Sequence, residues 1–315
     1  MASLTRHRLA PADIGPALRA LCAWTPSDAP GGGLHPGDVG WLLRLDHATV
    51  FLWTDAPAEA PGWTRADAPA EAPSRTRAGA PADARDAAQG AAPAGTPIGT
   101  GTGRPAPVAV GFLDGPVLRV TAAPGADLGA LAADAEDLLV PGNDWCDGLP
   151  VRGWGPDLDE TWLLLTRGPE PVPGRAAPVG EGDADDRVLV QRSAFAGSAF
   201  SIGHWRTMKA SPAGHLAVEA LVRTPAGDPA SAATGWFAGP GRCGLLEPVG
   251  THPDHRGHGY GRDAVLGACA ALTDRGASAV AVLTTAGNEA AVALYRSAGF
   301  TVVRESHDWT RPRRA

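Results

Sequence analysis

The chain has 315 residues, a formal net charge of −7 and 44% hydrophobic residues, a length that corresponds to about two ordinary domains. No apolar run approaches the roughly 18–20 residues of a membrane span, and the first residues lack an apolar signal region, so we expect a cytoplasmic protein without a membrane partner. The four scattered cysteines predict no disulfide framework, and the interspersed charges argue against a nucleic-acid partner.

The sequence of the first half, residues 1–168, predicts an α/β domain that carries a long insertion. Residues 55–107 hold 9 Pro, 7 Gly and 17 Ala. With so few large apolar groups the segment does not offset the entropy of ordering it, so we predict that it is disordered. Patterning on both sides predicts a helix over 12–23, strands over 49–53, 108–113 and 117–121, a helix over 127–139 and a strand over 161–166.

A stretch rich in Pro, Gly and Asp at 169–186 is predicted to link this domain to a second one at 187–315. The sequence pattern of the second domain predicts strands first and then alternating helices and strands. This is the order of an α/β fold with a mixed (α+β) sheet. Its predicted elements are strands over 187–191, 216–223, 231–238, 243–251 and 278–285, helices over 197–209, 259–275 and 289–297, and β structure after 300.

The clearest chemistry lies in residues 249–261, VGTHPDHRGHGYG, which join a predicted strand to a predicted helix. The first N–H groups of a helix are unpaired and lie at the positive end of its dipole. Glycines at 259 and 261 let a pyrophosphate approach the backbone, and Arg256 adds a cation that binds a phosphate group in a forked geometry. The spacing R-x-x-G-x-G therefore favours a site for a phosphorylated ligand.

Three other interpretations of this stretch stay open at this point. A dinucleotide-binding fingerprint fits Gly257 and Gly259, but Arg262 stands at its third glycine position. A metal site would combine the three histidines of the stretch with Cys243, although an arginine among them is a poor neighbour for a cation. A glycine-rich turn that binds nothing is a common feature of α/β proteins.

A second element lies downstream and has the spacing N-x-x-A-x-x-L-Y-x-x-x-G-F over 288–300. Together with 249–261, it resembles the GNAT superfamily of acyl-CoA-dependent N-acetyltransferases, most specifically over 243–303. The resemblance implies acetyl-CoA as the acyl donor and no metal. It also implies that acetyl-CoA is bound by Val249, Thr251, Arg256, Gly257, His258, Gly259, Tyr260, Gly261 and Asn288.

The resemblance further implies two catalytic groups, the amide of Val249, which polarises the thioester carbonyl, and the hydroxyl of Tyr295, which protonates the departing thiolate. Glu247 is the third predicted catalytic residue, because in a regular strand its side chain shares a face with Val249 and Thr251. We predict that it acts as the general base for the acceptor amine or as its counter-ion.

Pro248 lacks an N–H group, so its strand is expected to lie at an edge, a bulge or a splay. A splay between the strands over 243–251 and 278–285 would leave backbone amides free for a ligand. We therefore expect Glu247 and Tyr295 to face one cavity at that splay.

The first domain looks like a degenerate copy of the second, because residues 120–132 also join a strand to a helix. Asp127 replaces the arginine, and alanines replace the glycines, so a diphosphate would be repelled. The resemblance then implies two GNAT-like domains in tandem with one active half.

The predicted function is transfer of an acetyl group from acetyl-CoA directly to a primary amine of a small molecule in a ternary complex. The alternative is a non-catalytic acyl-CoA sensor or interaction module. The walls predicted for the acceptor site are Trp205, Met208, His307 and Trp309.

Overall fold

The computed structural model describes residues 4–30, 33–42, 48–55, 105–139, 145–170 and 176–311. The first half contains β1 (Thr5–Leu9), α1 (Gly15–Trp24), α2 (Pro36–Leu42), β2 (Thr49–Thr54), β3 (Pro107–Asp114), β4 (Val117–Ala122), α3 (Leu128–Asp134), β5 (Trp145–Asp147), β6 (Gly155–Pro156) and β7 (Trp162–Arg167).

The second half contains β8 (Ala177–Pro178), α4 (Ala184–Ala194), α5 (Ile202–Ala210), β9 (Ala217–Arg223), β10 (Pro229–Trp236), β11 (Cys243–Thr251), α6 (Tyr260–Asp274), β12 (Ala279–Thr285), α7 (Glu289–Ser297), β13 (Thr301–Ser306) and β14 (Trp309–Thr310). Most predicted helices and strands are confirmed, with ends that shift by a few residues. None of the helices that the structure describes combines the length and the apolarity needed to cross a bilayer.

The strands form two mixed sheets that exchange one strand each. One sheet has the order β1-β2-β3-β4-β5-β14-β6, and the other has the order β13-β7-β12-β11-β10-β9-β8. Strand β7 therefore lies before the predicted boundary at 168 but completes the sheet of the second half, while β14 lies in the sheet of the first half. A shared apolar core, with Leu52 and Phe112 from one half and Trp236 and Leu245 from the other, joins the two.

The insertion lies between two neighbouring strands, as predicted. Strands β2 and β3 pair in antiparallel register, with Thr54 opposite Pro107. Disorder was predicted for this insertion, but its residues 56–104 lie outside the described part of the chain.

The strand predicted over 187–191 is wrong, because these residues belong to helix α4. The run Val-Leu-Val lacks helical periodicity and therefore favours a strand. Arginine is rarely buried, so the sequence gives no sign that Arg187 lies on the inner face of a helix. In the helix, Arg187 and Gln191 are one turn apart, and the guanidinium donates to the Gln191 side chain over 3.1 Å. It also donates from Nε to Glu219 on β9 over 3.1 Å, which ties α4 to the sheet.

Two other predicted helices have different bounds. Helix α5 begins at Ile202 rather than 197, where the Ser201 hydroxyl accepts a hydrogen bond from the His204 N–H group and caps the helix. Helix α3 ends at Asp134, and a 3₁₀ turn follows at Glu136–Leu138.

Candidate active site

Strand β11 diverges from its parallel neighbour, so the predicted splay is confirmed. Its pairing with β12 covers only Cys243–Leu245 against Ala279–Ala281, whereas its pairing with β10 continues to Thr251. The His252 N–H group donates to Ala230 on the β10 side over 2.8 Å. Because backbone groups alternate along an antiparallel strand, those of Val249 and Thr251 point the other way, into the gap.

The turn after β11 leads to a helix N-terminus that no side chain caps. Gly257 and Gly259 have φ angles of 79° and 84°, a left-handed conformation that glycine adopts without steric cost. Gly259 is the N-cap of α6, and within this described segment no side chain accepts from the first turn. The positive end of α6 is therefore open to an anion.

Gly261 has a packing role in addition to the one expected. A Cβ atom at this position would lie 2.7 Å from the Thr251 Oγ1 atom. The absence of a side chain thus lets the first turn of α6 pack directly against β11, which brings the open helix end beside the gap.

These features border a groove of about 510 Å³. Of the residues predicted to bind acetyl-CoA or to act in catalysis, it is lined by Val249, Thr251, Arg256, Gly257, Gly259, Tyr260, Gly261, Asn288 and Tyr295. Ala194 and Phe195, at the end of α4, form a wall that the sequence did not indicate, because α4 itself was predicted as a strand. His258 is not among the lining residues: its Nδ1–H group donates to the Arg256 carbonyl over 2.8 Å.

Asn288 and Tyr295 reach the groove from α7. The Asn288 Oδ1 atom accepts from the Ala291 N–H group over 3.2 Å, so this residue caps α7. Tyr295 is 6% exposed and packs on Phe300, with ring centroids 5.9 Å apart. Burial, and then the charge of Glu247, raise the pKa of Tyr295, so its hydroxyl stays protonated at neutral pH.

Glu247 lies on the opposite face of the sheet from Val249, so the expected common face is wrong. Leu246 pairs with Gly235 and Val249 with Ala233, which leaves two residues of β11 opposite one residue of β10. This bulge reverses the alternation of side chains. Leu245 consequently faces the core shared by the two halves, while Val249 packs against the core under α6.

Glu247 instead lines a second cavity, of about 490 Å³, between the two halves. It therefore does not face one cavity together with Tyr295. The exchanged strands β7 and β14 contribute Trp162 and Trp309 to the walls. The charged residues that line this cavity are Asp38, Arg119, Asp147, Glu247, Arg304 and Asp308.

Of the four residues predicted to form the walls of the acceptor site, one lines this cavity. Trp309 lines it, but Trp205 and Met208 are buried in the core, at 3% and 0% exposure. Trp205 donates from Nε1 to Glu219 over 2.9 Å, which explains its inward position. His307 lies outside the lining, with its Nδ1 atom 3.0 Å from two backbone carbonyl oxygens, those of Asp157 and Glu160.

The corresponding place in the first half borders a cavity of about 310 Å³, but its helix end carries an acidic cap. The Asp127 carboxylate accepts from the Ala130 N–H group over 3.0 Å and caps α3, so an acidic group occupies the helix end that is open in α6. Leu34 covers β4, because its N–H group donates to the Thr121 hydroxyl over 2.5 Å. These contacts agree with a degenerate first half.

The histidines of 249–261 do not assemble around a common point. His252 accepts from the Asp254 N–H group over 3.3 Å, and its ring lies 5.3 Å from that of His255. Across the ranges that the structure describes, no group of three or more His, Cys, Asp or Glu side chains is placed to hold a metal ion.

Comparisons with known proteins agree with this geometry. The sequence model of the Acetyltransferase (GNAT) family matches residues 191–300. A tandem GNAT protein from the clavulanic acid biosynthesis pathway has a similar structure, with 15% identity, 99% of this chain and 100% of that chain covered, and a TM-score of 0.51.

Two further solved structures are similar. A GCN5-related N-acetyltransferase from Sphaerobacter thermophilus is 16% identical over 98% of this chain and 96% of its own, with a TM-score of 0.46. A GNAT acetyltransferase from Novosphingobium aromaticivorans is 24% identical over 63% of this chain and 85% of its own, with a TM-score of 0.41. A search of curated proteins gave no match. The chain therefore has the fold of a tandem GNAT protein, and its residues 191–300 match the Acetyltransferase (GNAT) family.

Proposed function

We propose that this protein is an acetyl-CoA-dependent N-acetyltransferase that transfers the acetyl group directly to a primary amine of a small molecule in a ternary complex. The observation that carries the proposal is the course of β11. Leu245–Glu247 line the acidic cavity, and two residues further on, Val249–Thr251 line the groove beside the open end of α6. One strand therefore joins a site for an anionic donor to a site for a cationic acceptor.

The groove residues fit acetyl-CoA. The first N–H groups of α6 and the Arg256 guanidinium would hold the pyrophosphate, since both present positive charge to it. The outward backbone groups of Val249 and Thr251 would pair with the pantetheine arm as an added strand would. The amide of Asn288 would hold the same arm from the other side. When bound, acetyl-CoA supplies the activated acyl group.

The acidic cavity fits a small amine. Its volume lies within the range of about 300–1,000 Å³ that small-molecule sites have. Four carboxyl side chains and two guanidinium groups line it, which favours a cation. An amine with a pKa of about 10 is protonated at neutral pH, and it is nucleophilic only after it loses that proton. Glu247 would accept the proton.

Two groups would then assist the transfer. The Val249 amide would stabilise the negative charge that develops on the carbonyl oxygen. The Tyr295 hydroxyl would donate a proton to the departing thiolate, the conjugate base of a thiol with a pKa of about 8.5, and would regain one from the second proton that the amine nitrogen loses. The raised pKa of Tyr295 keeps the proton on the hydroxyl at neutral pH, so this group would donate a hydrogen bond to the sulfur as negative charge develops there.

The test of this proposal is the variant Glu247→Gln, which preserves shape and removes the base. We expect kcat/KM to fall by about 10²–10⁴-fold and the pH profile to move upward, because more free amine must then come from solution. The release of the CoA thiol, followed with a panel of amines at several pH values, measures both kcat/KM and the pH profile. The exposed Glu136 provides a matched control, Glu136→Gln.

Equal activity of the two variants would contradict the role of Glu247. Tight binding of acetyl-CoA by the native protein, without turnover of any amine, would favour the sensor alternative instead.

A separate prediction concerns the donor site. Arg256→Asp is expected to weaken acetyl-CoA binding by about 10–100-fold, because a charge-assisted contact of about 1.5–3 kcal/mol becomes a repulsion. Arg256 is exposed, so the melting temperature should hardly change. Isothermal titration calorimetry measures the affinity, and Arg152→Asp, at an exposed turn remote from the groove lining, is the control. An unchanged affinity in Arg256→Asp would remove Arg256 from the site.

A further inference from the structure

Arg119 on β4 brings a guanidinium group to the cavity between the two halves. Its Nη1 atom is buried, and among the residues that the structure describes it has no hydrogen-bonding partner. A buried donor without a partner is costly, and native proteins usually satisfy such donors with water or with a ligand. The Arg119 head group therefore favours a ligand that offers a hydrogen-bond acceptor.

The strand pattern of β4 explains why this arginine points toward the second half. Its neighbours Leu118 and Val120 pack into the core under α3. Side chains alternate along a strand, so Arg119 lies on the opposite face. Its antiparallel partner on β3, Phe112, belongs to the core that the two halves share. The cationic head group is thus placed between the halves.

Two acids extend this arginine into a row across the first sheet. Arg119 pairs with Asp147 on the parallel strand β5. Cys146 pairs with Trp309 in antiparallel register, which places Asp308 opposite Asp147. Neighbouring strands lie about 4.8 Å apart, so the three charged side chains stand next to one another on one face of the sheet. All three line the cavity.

The middle acid of the row is bound by the backbone, whereas the outer groups interact through charge. The Asp147 Oδ2 atom accepts from the Gly33 N–H group over 3.2 Å. Burial, and then the charge of Asp147, raise the pKa of Asp308 to about 6, and the charge of Arg119 opposes this rise. A hydrogen-bond donor and an acceptor therefore stand on the two sides of Asp147.

Three kinds of ligand group match this row to different degrees. An alkyl group leaves the Arg119 donors without a partner. A carboxylate accepts from Arg119 but is repelled overall, because the cavity is lined by four carboxyl groups and only two guanidinium groups. A hydroxyl group accepts from Arg119, donates to a carboxylate and adds no charge. The row therefore favours a hydroxyl group.

We propose that the acceptor substrate is a hydroxylated amine and that Arg119 and Asp308 bind its hydroxyl group. The inference rests on the proposed function, in which Glu247, on the wall contributed by the second half, receives the amino group. In this arrangement the degenerate first half recognises the acceptor, while the second half holds the acyl donor.

Paired amines test this assignment. Ethanolamine, aminopropanol and aminopentanol are each compared with the unsubstituted alkylamine of the same length. In the native protein we expect kcat/KM for one amino alcohol to exceed that for its alkylamine by about 10–100-fold, because it gains hydrogen bonds to charged groups. Arg119→Met should remove most of this preference. The different basicity of the two amines, and any general loss of activity, cancel when the ratios of variant and native protein are compared.

Two further variants keep the comparison decisive. Asp308→Ala removes the acceptor of the hydroxyl proton and should lower the ratio by about tenfold, which covers the case in which Arg119→Met does not fold. Arg8→Met alters an exposed arginine outside the cavity lining and should leave the ratio unchanged. A ratio near one in the native protein, a ratio that neither cavity variant lowers, or a preference for γ-aminobutyrate over aminopropanol would overturn the proposal.

Binding separates this inference from the proposed function. Isothermal titration calorimetry in the presence of CoA, which carries no acetyl group, measures the affinity for each amino alcohol without turnover. At least one amino alcohol should bind the native protein about 10–100-fold more tightly than it binds Arg119→Met. If no amine is acetylated but this difference is found, the proposed function falls and the hydroxyl site stands. Equal affinities would overturn the hydroxyl site, whatever the activity.

Discussion

Replacing Tyr295 by Phe is expected to lower kcat by about 10–1,000-fold and to leave the acetyl-CoA dissociation constant within about twofold. The variant keeps the ring packed on Phe300 and removes only the hydroxyl of this groove-lining residue. A proton given to the departing sulfur matters mainly in the transition state, so kcat falls while ground-state binding is preserved.

Steady-state kinetics and calorimetry on the same preparation separate the two quantities for Tyr295→Phe. An unchanged melting temperature serves as the control for packing, because the residue is buried. A kcat equal to that of the native protein would show that solvent, rather than Tyr295, protonates the thiolate.

The largest expected effect on stability comes from Glu219→Ala, at about 3–5 kcal/mol of unfolding free energy. Glu219 and Arg187 form an ion pair at 3.1 Å, with side-chain exposures of 0% and 1%. The same carboxylate accepts from the Trp205 indole over 2.9 Å. Removal of the acid leaves the Arg187 charge buried without its main partner. Among the described residues, Gln191, Thr234 and the Phe200 ring remain in contact with it.

Urea unfolding followed by circular dichroism measures the loss for Glu219→Ala. Asp186→Ala is the matched comparison, because it removes the acid of an ion pair with Arg223 that is about one-third exposed. Such a pair is expected to contribute only about 0–1 kcal/mol. Losses of similar size in the two variants would show that the buried network contributes no more to the free energy of unfolding than the partly exposed ion pair does.

The groove beside β11 was predictable because its sequence signals are local. Glycines with positive φ, a proline without an N–H group and Asn288 before an amphipathic helix each act within a few residues of their own position. The strand, turn and helix over 243–274 were therefore predicted with nearly correct bounds.

The cavity that Glu247 lines was not predictable because its determinants are tertiary. The bulge that turns Glu247 to the other face depends on how β11 pairs with β10, and a strand pattern assumes regular alternation. The place of Asp38 depends on two glycines of α2 that meet Trp236 almost 200 residues later. The exchange of β7 and β14 leaves no local signal, since both segments are simply short and apolar or aromatic.

The stoichiometry of acetyl-CoA binding tests most directly whether the second half alone holds the acyl donor. Isothermal titration calorimetry on the full chain is expected to give one site per chain, because α6 is open whereas Asp127 closes the corresponding end of α3. That single site should weaken by about 10–100-fold in Arg256→Asp. Two equivalent sites, or one site that Arg256→Asp leaves unchanged, would contradict the assignment of the donor site to the groove beside β11.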